Sequence, residues 1–189
     1  MKKNGLFILG GIVLLIIILV SCFVSTYNNI IKLETNVDTE YSNISVQLER
    51  RADLIPNLIN TVKGYMKHEE SIINDITTAR EKMVNANNVY DKNNANEELT
   101  KALNNLNVVV ENYPDLKANQ NFINLQDELA GTENRISTTR RDYNNAVKEY
   151  NTKIKSIPSS IVASMMGKKE KDFFQVSEDK KDVPEVNFN

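Results

Sequence analysis

Tryptophan is absent from the 189 residues, and cysteine and histidine occur once each. A lone cysteine excludes an internal disulfide framework, so packing alone must hold the fold. A lone histidine excludes the di-iron carboxylate centre that a helical bundle can carry. That centre needs two Glu-x-x-His pairs and two further glutamates, and the residue three before His68 is Tyr65. Neither sign of charge dominates: 23 basic residues face 25 acidic ones, and the signs alternate along the chain. Without a basic face or stripe there is no footprint for nucleic acid. Six glycines and four prolines are few breakers for this length. Few breakers, with apolar residues recurring every three and four positions, read as an all-α protein.

The longest apolar run lies at the amino terminus, from Leu6 to Val24 behind Lys2 and Lys3. About 19 residues rising 1.5 Å each span roughly 28 Å, close to the hydrocarbon thickness of a bilayer. Lysines before the run and a nearly neutral flank after it predict a cytoplasmic amino terminus, with the rest of the chain on the far side of the membrane. A second reading stands beside this one. Leu19-Val20-Ser21-Cys22 is similar to a bacterial lipobox, in which Cys22 would be lipidated and the preceding residues removed. Both readings deliver the same domain to the same side and differ only in the anchor. The expected organisation is an anchor or lipoprotein signal over 1–25, a helical bundle over 26–158, and a cap and tail over 159–189.

From Ile30 the apolar positions step through Leu33, Val37, Tyr41, Ile44 and Leu48, a heptad-like stripe. No glycine or proline lies between Ile12 and Ile55, which predicts a stiff helix leaving the membrane. Pro56 then marks a corner or a kink. The stripe resumes as Leu58, Val62, Tyr65, Ile72, Ile76, Ala79 and Met83, with His68 near the middle of a second helix. Residues 85–96 are Asn-rich and read as a loop. Leu99, Ala102, Leu106, Val109 and Tyr113 define a third helix that Pro114 ends. Phe122, Leu125, Leu129, Thr132, Ile136, Thr139, Tyr143, Val147, Tyr150, Ile154 and Ile157 define the longest helix, stopped by Pro158. Four amphipathic helices on short turns predict an antiparallel four-helix bundle behind a transmembrane helix.

Several short motifs then fall in a recognisable order. They are Tyr27-Asn28, Gln47-Leu-Glu-Arg-Arg-Ala-Asp-Leu-Ile-Pro-Asn-Leu58, Thr61-Val-Lys-Gly-Tyr65 with His68-Glu69, and Ala79-Arg80. Glu111-Asn-Tyr-Pro-Asp-Leu-Lys117, Leu129-Ala-Gly-Thr-Glu-Asn-Arg-Ile136 and Arg140-Arg-Asp-Tyr-Asn144 follow. From about Tyr27 to Phe188 the chain resembles the LemA family of bacterial membrane-anchored helical proteins. It departs from the family where a common tryptophan of the first ectodomain helix is Tyr41. The resemblance implies a four-helix domain behind a transmembrane or lipid anchor and no established enzymatic activity. Some relatives are tied to membrane remodelling or to envelope proteases.

The candidate sites follow from these segments. Arg50, Arg51, Asp53, Pro56 and Asn57 form a charged corner, either an ion-pair network meeting Glu133, Arg140 or Arg141, or a surface for a partner. Thr132 and Thr139 are polar steps on an otherwise apolar stripe, either a buried polar layer or, with Tyr143, an assembly seam, since such residues set register. His68, Glu69 and Glu70 are adjacent on a helix and diverge, so they do not make a metal site. Cys22 has no His or Asp placed to activate it. Met165-Met166 and Phe173-Phe174 read as a cap over the bundle end or a contact with lipid headgroups or a neighbouring subunit. Val183 to Phe188 alternates in the manner of an edge strand or ends a disordered tail. No catalytic residue, cofactor or metal is expected. The functional expectation is a scaffold that self-associates as a homo-oligomer or recruits an envelope protein partner. Membrane shaping by arrays of the domain is the alternative.

Overall fold

Helix α1 runs Lys2–Lys63 without interruption, 62 residues that begin in the apolar run and continue past Pro56. The computed structural model describes residues 2–174, with the side chains of Phe7 and of residues 9–174. After α1 come α2 (Glu70–Asn85), α3 (Val89–Val110), α4 (Pro114–Lys117), α5 (Gln120–Lys155) and α6 (Ser159–Met165). Among the described residues there is no strand, so the protein is all-α. Among the described residues six helices replace the four expected, because two short ones form at prolines. The tail motif Val183 to Phe188 lies outside the described residues.

Of the two readings of Pro56, a corner or a kink in a continuous helix, the corner does not fall there. The helix continues through the proline, and the chain turns instead at Gly64–Glu69, where the Tyr65 and Met66 amides both donate to the Val62 carbonyl. His68 therefore sits in an exposed connection and not within a helix. Proline inside a helix removes the bond to the carbonyl four residues back, here that of Ala52. That carbonyl is buried and would be orphaned. Arg80 of α2 supplies the missing donor, its Nε reaching the Ala52 oxygen at 3.0 Å. A long-range side chain thus repairs what the proline removes locally, and the helix survives.

Residues 85–96 are not a loop beyond their first few positions. Asn88 caps α3: its side-chain oxygen accepts from the Asp91 amide at 2.8 Å, while its nitrogen donates to the Asp91 carboxylate at 2.7 Å. Asn-x-x-Asp here is a capping signal hidden within an Asn-rich stretch. Three residues separate α2 from α3, which makes them antiparallel neighbours, bridged by Lys82 and Glu98 at 2.6 Å. α3 ends at Val110, ahead of Pro114, and the proline opens α4 instead of ending its predecessor. At the first turn its missing amide costs nothing.

The chain divides into two units. One combines the chain up to Thr39 with Asn145–Lys171. Its core includes Ile30, Val37, Val147, Tyr150, Ile154, Val162 and Ala163. The other combines Glu40–Asn144 with the segment from Asp172. It draws on α1 (Ile44, Leu48, Ile55, Leu58), α2 (Ile76), α3 (Leu99, Leu106), α4 (Leu116) and α5 (Ile136), all essentially inaccessible to solvent. These positions repeat at three, four and seven residues, so each helix turns one stripe inward.

Candidate functional site

Among the described residues, a single buried cation marks the unit built on Glu40–Asn144. Arg51 projects from α1 and is 3% exposed. Its Nη1 donates to Asn96 Oδ1 at 2.6 Å, to Thr100 Oγ1 at 3.1 Å, and to the carboxylate of Glu133 on α5. Three helices are therefore pinned to one guanidinium. Burial lowers the pKa of Arg51; Glu133 opposes that shift and the nearby positive Arg140 adds to it. Isolating such a charge without a partner is strongly unfavourable, so Glu133 and the two neutral acceptors are what make its position tenable. Asn96, which sequence alone assigns to a loop, is one of the two neutral acceptors that hold Arg51. The signal that would have found it is the Asn88 cap, which places Asn96 two turns into α3.

The neighbours of Arg51 in sequence have other fates. Arg50, Asp53, Pro56 and Asn57 lie exposed on the outer face of α1. Asn57 lines an open groove with Asn60 and Thr61, across from Asn121, Asn124 and Glu128 of α5. Only Arg51 of the charged cluster turns inward; the rest form a solvated face.

The polar steps of α5 differ in burial. Thr132 is fully buried, its hydroxyl donating to the Leu129 carbonyl at 2.7 Å within its own helix. Thr139 does the same to Arg135 at 3.0 Å. Tyr143 is 2% exposed and its hydroxyl donates to the Asp172 carbonyl at 2.9 Å. Of the trio, Thr132 and Tyr143 are buried and Thr139 is half-buried. Asn144, next to Tyr143, holds the Phe174 backbone at both ends. Its amide nitrogen donates to the Phe174 carbonyl and its oxygen accepts from the Phe174 amide, each at 2.9 Å. Phe174 meets Tyr143 edge-on at 5.6 Å between ring centres, with the Arg140 guanidinium 5.9 Å from its own ring. Tyr143 also packs on Tyr41, over which the Lys92 ammonium lies at 5.2 Å. Burial lowers the pKa of Lys92.

The other unit carries its own clasp. Asn151 grips Lys171 as Asn144 grips Phe174, with both backbone bonds at 2.9 Å. Lys168 is bonded to Glu34 of α1, Lys171 lies 3.4 Å from Asp38, and Lys155 lies 2.7 Å from Glu170. The hydrogen bond to Glu34 raises the pKa of Lys168 against its partial desolvation. Cys22 is exposed in α1. Among the described residues, no group of three or more His, Cys, Asp or Glu side chains is placed to hold a metal.

Residues 9–24 of α1 are exposed, and the helix is long and apolar enough there to cross a membrane. With an all-α domain joined to that stretch, the architecture is that of a membrane-associated helical protein. Residues 40–188 match the LemA family, and the chain belongs to it. It is also similar to magnetosome protein MamQ 2 of Paramagnetospirillum magneticum, 26% identical over 189 residues that cover 86% of this chain and 70% of that protein. Protein LemA of Metamycoplasma hominis is 26% identical over 159 residues, 82% of this chain and 72% of its own length. Magnetosome protein MamQ of Magnetospirillum gryphiswaldense is 23% identical, over 86% of this chain and 69% of that protein.

Proposed function

We propose that this protein is a non-catalytic, membrane-anchored scaffold of the bacterial envelope, which self-associates or recruits partner proteins through its helical domain. The observation that supports this most directly is the use of its buried charge. Arg51 is committed to Asn96, Thr100 and Glu133, and Arg80 to the Ala52 carbonyl, so both cations act on the chain itself. A perturbed charge in a domain interior serves either chemistry or geometry, and every contact of Arg51 is with its own chain. The exposed apolar stretch and the domain share one helix, which suits a protein that presents a shaped surface from a membrane.

In this reading the amino terminus is cytoplasmic, in keeping with Lys2 and Lys3, and the domain lies outside the membrane. The exposed face of Arg50, Asp53 and Asn57, and the amide-lined groove beside it, are the surface offered to partners. Crosslinking in intact cells tests the proposal. Discrete oligomers or a captured envelope protein are expected. A chain that stays monomeric and captures nothing defeats it. The intact mass of the protein purified from membranes separates a retained α1 from a lipid on Cys22.

A further inference from the structure

The short helix α6 has two faces of opposite character. Ser159, Val162 and Ala163 are buried, whereas Ile161 and Met165 are 63% and 72% exposed, and Ile157 just before the helix is 87% exposed. Ile161 and Met165, four apart within α6, share one outward stripe, and Ile157 is exposed in the turn that leads into the helix. Nothing in the unit covers them, and burying three such side chains is worth more than leaving them wet.

The ion pairs say where on the unit this stripe lies. Going backwards from Lys171 to Lys168, the partners on α1 move from Asp38 to Glu34, towards the apolar run. Over the same interval the partners on α5 move from Asn151 to Lys155, paired with Lys171 and Glu170. The carboxy-terminal end of α5 therefore points the way the apolar run of α1 lies, and Ile157 and α6 come next in the chain. The end of α6 is capped by Gly167, whose φ of 65° allows the Lys168 amide to reach back to the Ala163 carbonyl at 3.0 Å. That cap delivers Lys168 to Glu34. Lys169, exposed beside it, adds a cation of the kind that favours anionic headgroups.

We infer that Ile157, Ile161 and Met165 form a second membrane contact, seated in the headgroup boundary of the same bilayer that α1 enters. It is an interfacial site for a lipid surface, shallow and parallel to the membrane, and it rests on the reading of α1 as a membrane anchor. Together the two contacts fix the tilt of the unit, which a single helix leaves free.

The absence of tryptophan supplies the test. Full-length protein is reconstituted into phosphatidylcholine vesicles containing phosphatidylglycerol, with bromine carried on the lipid chains as a quencher. Single substitutions Ile16→Trp, Ile161→Trp and Asn36→Trp report in turn on the apolar run, the α6 face and water. Asn36 is exposed and about 18 Å of helix beyond Val24. Expected is strong loss of emission for Ile16→Trp, partial loss for Ile161→Trp when bromines are shallow, and none for Asn36→Trp. Adding Ile157→Asp and Met165→Asp to Ile161→Trp is expected to abolish its quenching while helicity is retained. An Ile161→Trp reporter that behaves like Asn36→Trp while Ile16→Trp is quenched overturns the second contact and leaves the anchor standing. Quenching at neither Ile16→Trp nor Ile161→Trp overturns both.

Discussion

Two clusters of charge in this chain are alike in chemistry and opposite in setting. Around Arg51 the cation is almost wholly enclosed, with 4% of its side chain exposed. Around Glu34 the side chains of Lys168, Lys171 and Glu34 are 20% to 34% exposed, and water shares their field. Exposed pairs are worth little because solvent screens them and long side chains must be ordered to form them. A buried cation is different: its pairing is compulsory, since removing the partner strands the charge. The first cluster therefore sets the geometry of three helices. The second only steadies a segment that Asn151 already holds by its backbone.

The sharpest way to break this comparison is Glu133→Ala. Glu133 is itself 40% exposed. Water therefore relieves part of the loss, and destabilisation near the lower end of the buried-pair range, about 3 kcal/mol, is expected in urea unfolding of the detergent-solubilised chain. Glu133→Gln keeps an acceptor for Nη1 and should lose less. Lys168→Ala in the same assay should cost less than about 1 kcal/mol. Equal losses from Glu133→Ala and Lys168→Ala would show that burial is not what separates the two clusters.

Next in size is Arg80. Arg80→Met removes the donor to the Ala52 carbonyl and keeps most of the aliphatic packing, so a loss of about 1–3 kcal/mol follows from an unsatisfied buried acceptor. Pro56→Ala restores a backbone amide to the same carbonyl. The two substitutions should therefore be non-additive, with most of the Arg80→Met loss recovered in the double variant. A strictly additive cycle would mean that Arg80 stabilises the domain by something other than repairing the proline.

That pairing also explains what sequence alone could and could not show. Helical spacing identified the stripes of α1 and α5, the apolar run, and the inward positions Ile44, Leu58, Ile136 and Val147, because burial follows period. Pro56 was misleading for a physical reason. A proline's local effect is certain, but its consequence depends on whether a distant group can satisfy the freed carbonyl, and Arg80 is 28 residues away in the chain. Asn-rich composition misled in the same way at residues 85–96. Asparagine disfavours helix interiors but is among the strongest caps, and one Asn-x-x-Asp decides between the two. The polar residues of the interior were partly legible. Charge density drew attention to Arg50, Arg51 and Asp53, but only tertiary contacts select Arg51.

A smaller effect is expected at the aromatic end of the larger unit. Asn144→Ala removes both backbone bonds to Phe174 at once. Phe174 keeps its edge-on contact with Tyr143, so the loss should be about 1–2 kcal/mol and local. Amide exchange should accelerate at Phe174 and leave the core of α1 unchanged. Acceleration throughout α1 would make this segment part of the global fold and shift weight away from Arg51.

The smallest effect is one of pH, and its sign separates the clusters once more. The bond to Glu34 holds the Lys168 pKa above its ordinary value of 10.5. The folded state then binds this proton more tightly than the unfolded state. Its contribution is complete below about pH 10 and is lost as pH rises through the raised value. The melting temperature of the wild-type chain should fall towards that of Lys168→Ala in this alkaline window, and the two should keep a constant gap from pH 6 to 9. Arg51 shifts the other way, lowered by burial from its ordinary value, so it cannot be the source of a loss in that window. A gap that persisted above pH 11 would assign the contribution of Lys168 to the packing of its aliphatic stem and not to its charge.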